Sequence, residues 1–184
     1  RGSKGVDGLP DSDSTTSSFM NAITANSTWT VEVDSGFNPG KTVVLEINAD
    51  SPISAVHICM KVGMHSDFEF VTIVRGDCEW LGLLRTGCTG EGSITNDVVV
   101  NLLERGTLLR VDSIHIDRDS QVVAGTISSG SEMTKSDLRY RMGQPGGNLN
   151  VLGSILSAEE MMLDHHIEIH HDAPETFSRL DWHS

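Results

Sequence analysis

The sequence predicts an all-β protein folded as an irregular β-solenoid with little helix. Three observations lead there. Short β-type runs follow one another along nearly the whole chain. Many alternate apolar and polar residues, as Trp29, Val31 and Val33 do against Thr28, Thr30 and Glu32. Single glycines, not two-residue hairpin turns, stand in the gaps. The runs start at roughly every dozen residues, a spacing that sandwiches, barrels and solenoids share, so turn chemistry decides among them. Asn-Gly or Gly-Gly loops between paired runs would announce hairpins, yet Asp7-Gly8 precedes the strands and Gly146-Gly147 sits in a longer loop. Gly63, Gly76, Gly87, Gly106, Gly130 and Gly143 mark corners where a coil turns with positive φ or close backbone approach. No motif repeats at a fixed period, which excludes the regular hexapeptide solenoid.

The elements follow in chain order. Arg1-Gly2-Ser3 looks like the remnant of an expression tag, and residues 1–18, rich in Gly, Asp, Ser and Thr, are expected to form a flexible N-terminal segment. Residues 19–184 are expected to form one domain around one core. A short helix is expected over Ser17–Ala25, capped by Ser17 or Ser18. Strands are expected over Thr28–Val33, Val43–Ile47, Ala55–Cys59, Phe68–Val74, Cys78–Leu84, Asp97–Leu102 and Leu108–Ile116, then Val122–Ile127, Asp137–Met142, Leu149–Leu156 and Met162–Ile169. A second short helix is expected over Ser157–Met162, where Ser157 with Glu160 reads as a capping box.

The formal net charge of −13 repels phosphate backbones and anionic lipid, and no Lys/Arg cluster offsets it locally, which argues against nucleic-acid and membrane-surface roles. The longest apolar stretch, around Val98 to Leu103, falls short of the roughly twenty residues that cross a bilayer. Cys59, Cys78 and Cys88 are odd in number and lack C-x-x-C spacing, so a reducing compartment, the cytoplasm, is expected. Cys59 reads as a small core residue, whereas Cys78 and Cys88, flanking Trp80 and a glycine-rich corner, read as more open.

The conspicuous constellation is Asp164-His165-His166-Ile167-Glu168-Ile169-His170-His171-Asp172, with four histidines and three carboxylates in nine residues. As a strand it sends Asp164, His166, Glu168 and His170 to one face and His165, Ile167, Ile169 and His171 to the other. Imidazole with carboxylate is the ligand set of zinc, iron or manganese, which makes Asp164, His166, Glu168 and His170 candidate metal ligands. Such side chains on one strand face sit about 7 Å apart, so neighbouring strands must supply convergence. The competing reading is a solvated polar stack with Ile167 and Ile169 in the core. An enzyme reading, cupin-like or carbohydrate-active, would use His165, His166, His170 and His171 with Asp164 or Glu168. Against it, the H-x-H-and-Glu pattern of cupins is absent, and five Phe, three Trp and one Tyr leave few sugar-stacking platforms. The sequence also lacks H-E-x-x-H, a G-x-S-x-G elbow around Ser154 or Ser178, and both familiar nucleotide loops.

From about Gly125 a series of short motifs appears in order: Ser129-Gly130-Ser131, Ser136-Asp137-Leu138-Arg139-Tyr140, Asn148-Leu149-Asn150-Val151-Leu152-Gly153 and Met162-Leu163-Asp164-His165-His166. The series closes with His171-Asp172-Ala173-Pro174-Glu175-Thr176-Phe177-Ser178-Arg179, an H-x-A-P-x-x-x-S-R segment. This order resembles the SufB/SufD family of iron–sulfur cluster assembly scaffolds, as a short or truncated member. The resemblance implies a right-handed parallel β-helix without catalytic residues of its own. It also implies a SufC-like ATP-binding-cassette ATPase and a second SufB/SufD-like subunit as partners, with an iron–sulfur cluster or iron bound transiently. Asp164, His165, His166, His171, Pro174, Ser178 and Arg179 are then family signature. Family members normally continue past the segment matching Ser178-Arg179, where the ATPase contact and cluster-related Cys/His positions lie, so none of those roles transfers to a residue here. The edge near Leu163–Ile169 is expected to pair with another strand in a homodimer or hetero-oligomer.

Overall fold

The computed structural model describes residues 15–25, 27–158 and 160–184. One helix, α1 (Thr15–Thr24), precedes ten strands. These are β1 (Thr28–Val33), β2 (Thr42–Ala49), β3 (Ile53–Val62), β4 (Asp67–Cys88), β5 (Ile94–Ile116), β6 (Gln121–Ser128), β7 (Met133–Met142), β8 (Asn148–Ile155), β9 (Met162–His171) and β10 (Phe177–His183). Every pairing is parallel, and the chain is a β-helix of about six turns.

The middle coils of one face stack with a steady offset: Asp67 lies beside Ile94, Ile94 beside Gln121, and Gln121 beside Asn148, a step of 27 residues. The strands fall into two faces. The first holds β2, residues 67–76 of β4, residues 94–103 of β5, then β6, β8 and β10. The second holds β1, β3, the later halves of β4 and β5, β7 and β9. Parallel strands cannot be joined by tight hairpins, so each chain reversal is spent on a corner between faces.

The core fills the space between the faces. Phe68, Phe70, Val74 and Val99 of the first face meet Ile58, Met60, Leu81, Leu83 and Leu108 of the second. Further along, Val122, Leu149 and Val151 meet Ile114, Leu138 and Tyr140, with Ile167, Ile169 and Trp182 packed against them. Along 81–86 of β4 burial is continuous instead of alternating, because α1 lies on the outside of the second face. There Met20, Leu84 and Val111 form a small third cluster, and Phe19 meets Trp80 edge-on at 6.0 Å.

Most expected strands stand where the pattern put them, with four differences. Phe68–Val74 and Cys78–Leu84 are one strand, β4, and Asp97–Leu102 and Leu108–Ile116 are one strand, β5. Both run through the corner as continuous strands, with the pairing register shifting between Gly76 and Trp80, and Gly76 (φ 111) and Gly106 (φ 88) absorb the bend. Strand β10 was not expected. The helix over Ser157–Met162 does not form: its described part is a turn in which Met161 N donates to Ala158 O. Helix α1 begins at Thr15, ahead of the expected caps, and the side chains of Ser17 and Ser18 lie outside the described residues, as do residues 1–14. Of the glycines expected at corners, Gly63 and Gly130 abut backbone of the preceding coil, whereas Gly143 sits in open space with ordinary φ.

Candidate functional site

Residues 164–172 lie on β9 and the corner after it, at the outer edge of the second face. The strand alternates as the pattern demands: His165, Ile167 and Ile169 face inward, and Asp164, His166, Glu168 and His170 face outward. Register then decides their neighbours. Lys135 lies beside Asp164 and Arg139 beside Glu168. Lys135 Nζ meets Asp164 Oδ2 at 2.8 Å, Arg139 reaches Glu168 at 3.5 Å, and His170 Nε2 lies 2.9 Å from Glu168 Oε1. The hydrogen bond from Lys135, then its charge, hold the Asp164 carboxyl below its usual range.

Three of the four outward candidate ligands are thus engaged by β7 and by one another, Asp164 and Glu168 in ion pairs and His170 against Glu168. Among the described residues no group of three His, Cys, Asp or Glu side chains converges to hold a metal ion. The thiols do not supply one either. Cys59 and Cys78 are buried and Cys88 is exposed, so Cys78 is not the open residue its flanking glycines suggested. Burial, reinforced by Asp77, pushes the Cys78 thiol up, and the neighbouring protein around an otherwise exposed Cys88, then Cys59, push that thiol up as well. Both resist becoming the thiolate that ligates metal or attacks an electrophile.

His165 faces inward, its ring 5.1 Å from that of Trp182, and both ring nitrogens are buried without a hydrogen-bond partner. Burial and then the nearby Arg110 charge lower its pKa against the opposing pull of Asp164, so the ring is held neutral. Trp182 reaches it by lying flat over Gly153, where any Cβ would run into the indole.

The H-x-A-P segment builds the corner from β9 into β10. Thr176 Oγ1 donates to Ala173 O at 3.1 Å, so its lone pairs receive His171 Nδ1–H at 2.8 Å. Nε2 is then left to accept the Ser178 hydroxyl at 2.9 Å. This tautomer, assigned from the network, clips residues 171–178 into one tight turn with Glu175 at φ 58. Pro174 stands exposed at its apex, and Arg179 pairs with Asp181. The other motifs also have plain structural duties. The Asn101 amide lies within 3.3 Å of Ser128, Gly130, Ser131 and Thr134, and so fastens the Ser129-Gly130-Ser131 corner. Leu138, Tyr140, Leu149 and Val151 are core.

Sequence reading missed the charge network between the faces. Arg85 Nη2 meets Asp97 Oδ1 at 2.5 Å and Nη1 meets Asp112 Oδ2 at 2.9 Å, while Arg110 donates to both oxygens of Asp112 and to Thr126. All four charged side chains are at least 94 % buried, by 3 %, 6 %, 1 % and 3 % exposure for Arg85, Asp97, Asp112 and Arg110. Burial alone would raise the Asp112 carboxyl, but Arg110 and Arg85 outweigh it and hold it low. Alternation placing Arg85, Arg110 and Asp112 at core positions was the available signal.

Among known families, the model described as SUF system FeS cluster assembly, SufBD core domain, matches residues 45–184. Comparison with curated proteins and with solved structures gives no match.

Proposed function

The chain belongs to the SufBD core-domain family of the SUF iron–sulfur cluster assembly system, and from that membership we propose that it is a non-enzymatic scaffold working in the cytoplasm beside a SufC-type ATPase and a second SufB/SufD-like subunit. The observation that carries this reading is the extent of the match, residues 45–184, which takes in nearly the whole solenoid from within β2 to the end of β10. A role in iron–sulfur cluster assembly follows from the family itself. The scaffold assignment draws on the chemistry of the side chains. The outward histidines and carboxylates of β9 are spaced along one strand, with Asp164 and Glu168 tied to β7, and the Cys78 and Cys88 thiols have their pKa values raised. An iron–sulfur cluster is the cargo of such an assembly.

Among the described residues no helix is long and apolar enough to cross a membrane. The test is co-expression of the affinity-tagged chain with a SufC-type ATPase and a second SufB/SufD-like subunit. All three co-eluting through gel filtration is the expected result; the tagged chain eluting alone while the other two pair would sink the proposal.

A further inference from the structure

The outer surface of the first face carries aliphatic side chains in rows. Val44, Val71, Val98, Gly125 and Leu152 are successive register partners, one per coil. Two residues along, Ile73, Val100 and Ile127 form a second row. Val44 is 55 % exposed, Ile127 44 % and Leu152 42 %. Parallel sheets are ordinarily covered on both faces, and strands that read as continuous apolar runs are those buried on both sides. The middle of the second face obeys that rule, because α1 covers Leu84 and Val111 from outside. The one helix among the described residues lies on the second face, and no helix covers the equivalent rows of the first.

Shape and charge say what fits there. With strands about 4.8 Å apart, the first row spans roughly 19 Å, the length of about 13 helical residues. Gly125 interrupts that row, and the Val98 side chain leans over it, within 3.0 Å of where a Cβ would stand. At one margin the strands end in a recess of about 610 Å³ where Asp50, Asp77, Glu79 and Glu132 surround a single cation, Arg105. At the opposite margin stand Asp67 and Glu69, two carboxylates beside one cation, Lys41. The net charge of −13 opposes a second copy of the chain. We propose that this face docks a cationic amphipathic α-helix of a partner protein, its apolar stripe along the two rows and its lysines or arginines over the acidic margins. The inference stands on this surface alone and does not depend on the family reading.

The probe is a fluorescein-labelled 18-residue helical peptide of leucine and lysine, compared with a leucine and glutamate peptide of the same pattern. Anisotropy titrations use the full chain and the variant Val71→Thr/Val98→Thr/Val100→Thr/Ile127→Thr, which keeps charge and, at the three valines, shape. The lysine peptide should bind the wild-type chain, bind the variant at least about tenfold more weakly, and weaken as salt rises. Should the fourfold variant fail to fold, Ile127→Thr alone, at a position already 44 % exposed, should weaken binding about threefold. Equal binding of wild type and variant, equal binding of the acidic peptide, or a wild-type dimer in light scattering that the variant abolishes would each overturn the proposal.

Discussion

At the scale of single residues, the molecule rests on polar groups that its core cannot release to water. Arg85 is gripped between Asp97 and Asp112, and removing one partner leaves a buried charge unpaired, so Asp112→Asn should cost about 3–5 kcal/mol in urea unfolding. Gly153→Val should cost about 1–3 kcal/mol, because the indole of Trp182 already fills the space of a Cβ. Histidine sets the acid limit. His57, hydrogen-bonded to Thr86 at 2.8 Å, and His165 both have pKa values lowered, first by burial. The unfolded chain therefore takes up protons from about pH 6.5 downward while the folded rings stay neutral, and stability falls with them. The urea midpoint should hold from pH 8 to 7 and drop as pH falls below about 6.5, with a shallower drop in His57→Asn. A flat profile down to pH 5 would contradict the assignment.

At the scale of elements, β9 shows how much of the site the sequence disclosed. Its alternation, Ile167 and Ile169 inward against His166, Glu168 and His170 outward, was legible because a strand has period two. Its ion pairs were not, because Lys135 and Arg139 reach Asp164 and Glu168 only through coil register. Exposed pairs contribute little, so Glu168→Gln with His170→Ala should shift stability by less than about 1 kcal/mol. Helix α1 matters more: Met20→Ala, emptying a fully buried position over Leu84 and Val111, should cost about 2–5 kcal/mol. The errors have local causes. Gly76 and Gly106 read as strand breaks because a glycine that bends a strand looks like one that ends it. Strand β10 escaped notice because its inward residues are Ser178, Leu180 and Trp182, and its outward ones include Arg179 and Asp181, too polar a run to announce a strand.

At the scale of the whole molecule, a 27-residue structural repeat runs without a sequence repeat. One inward column shows why: Phe70, Asp97, Ala124 and Val151 stack in register and share neither size nor charge. Each coil repeats its backbone path and leaves its side chains to match their neighbours, so the solenoid was legible in strand spacing and glycines but its period was not. The family resemblance was legible in motifs that prove to be corner clips and core positions, among them His171–Ser178, Asn101 over Ser131, and Gly153 under Trp182. The function proposed for the chain thus lies in holding a shape for partners.

The most direct test of that claim is an omission experiment under anaerobic conditions. Cluster assembly is followed by visible absorbance in a mixture of the SufC-type ATPase, the second SufB/SufD-like subunit, iron, a sulfide donor and ATP, with and without this chain. A scaffold role predicts that the absorbance and protein-bound sulfide accumulate only when the chain is present. Equal accumulation without it would contradict the account.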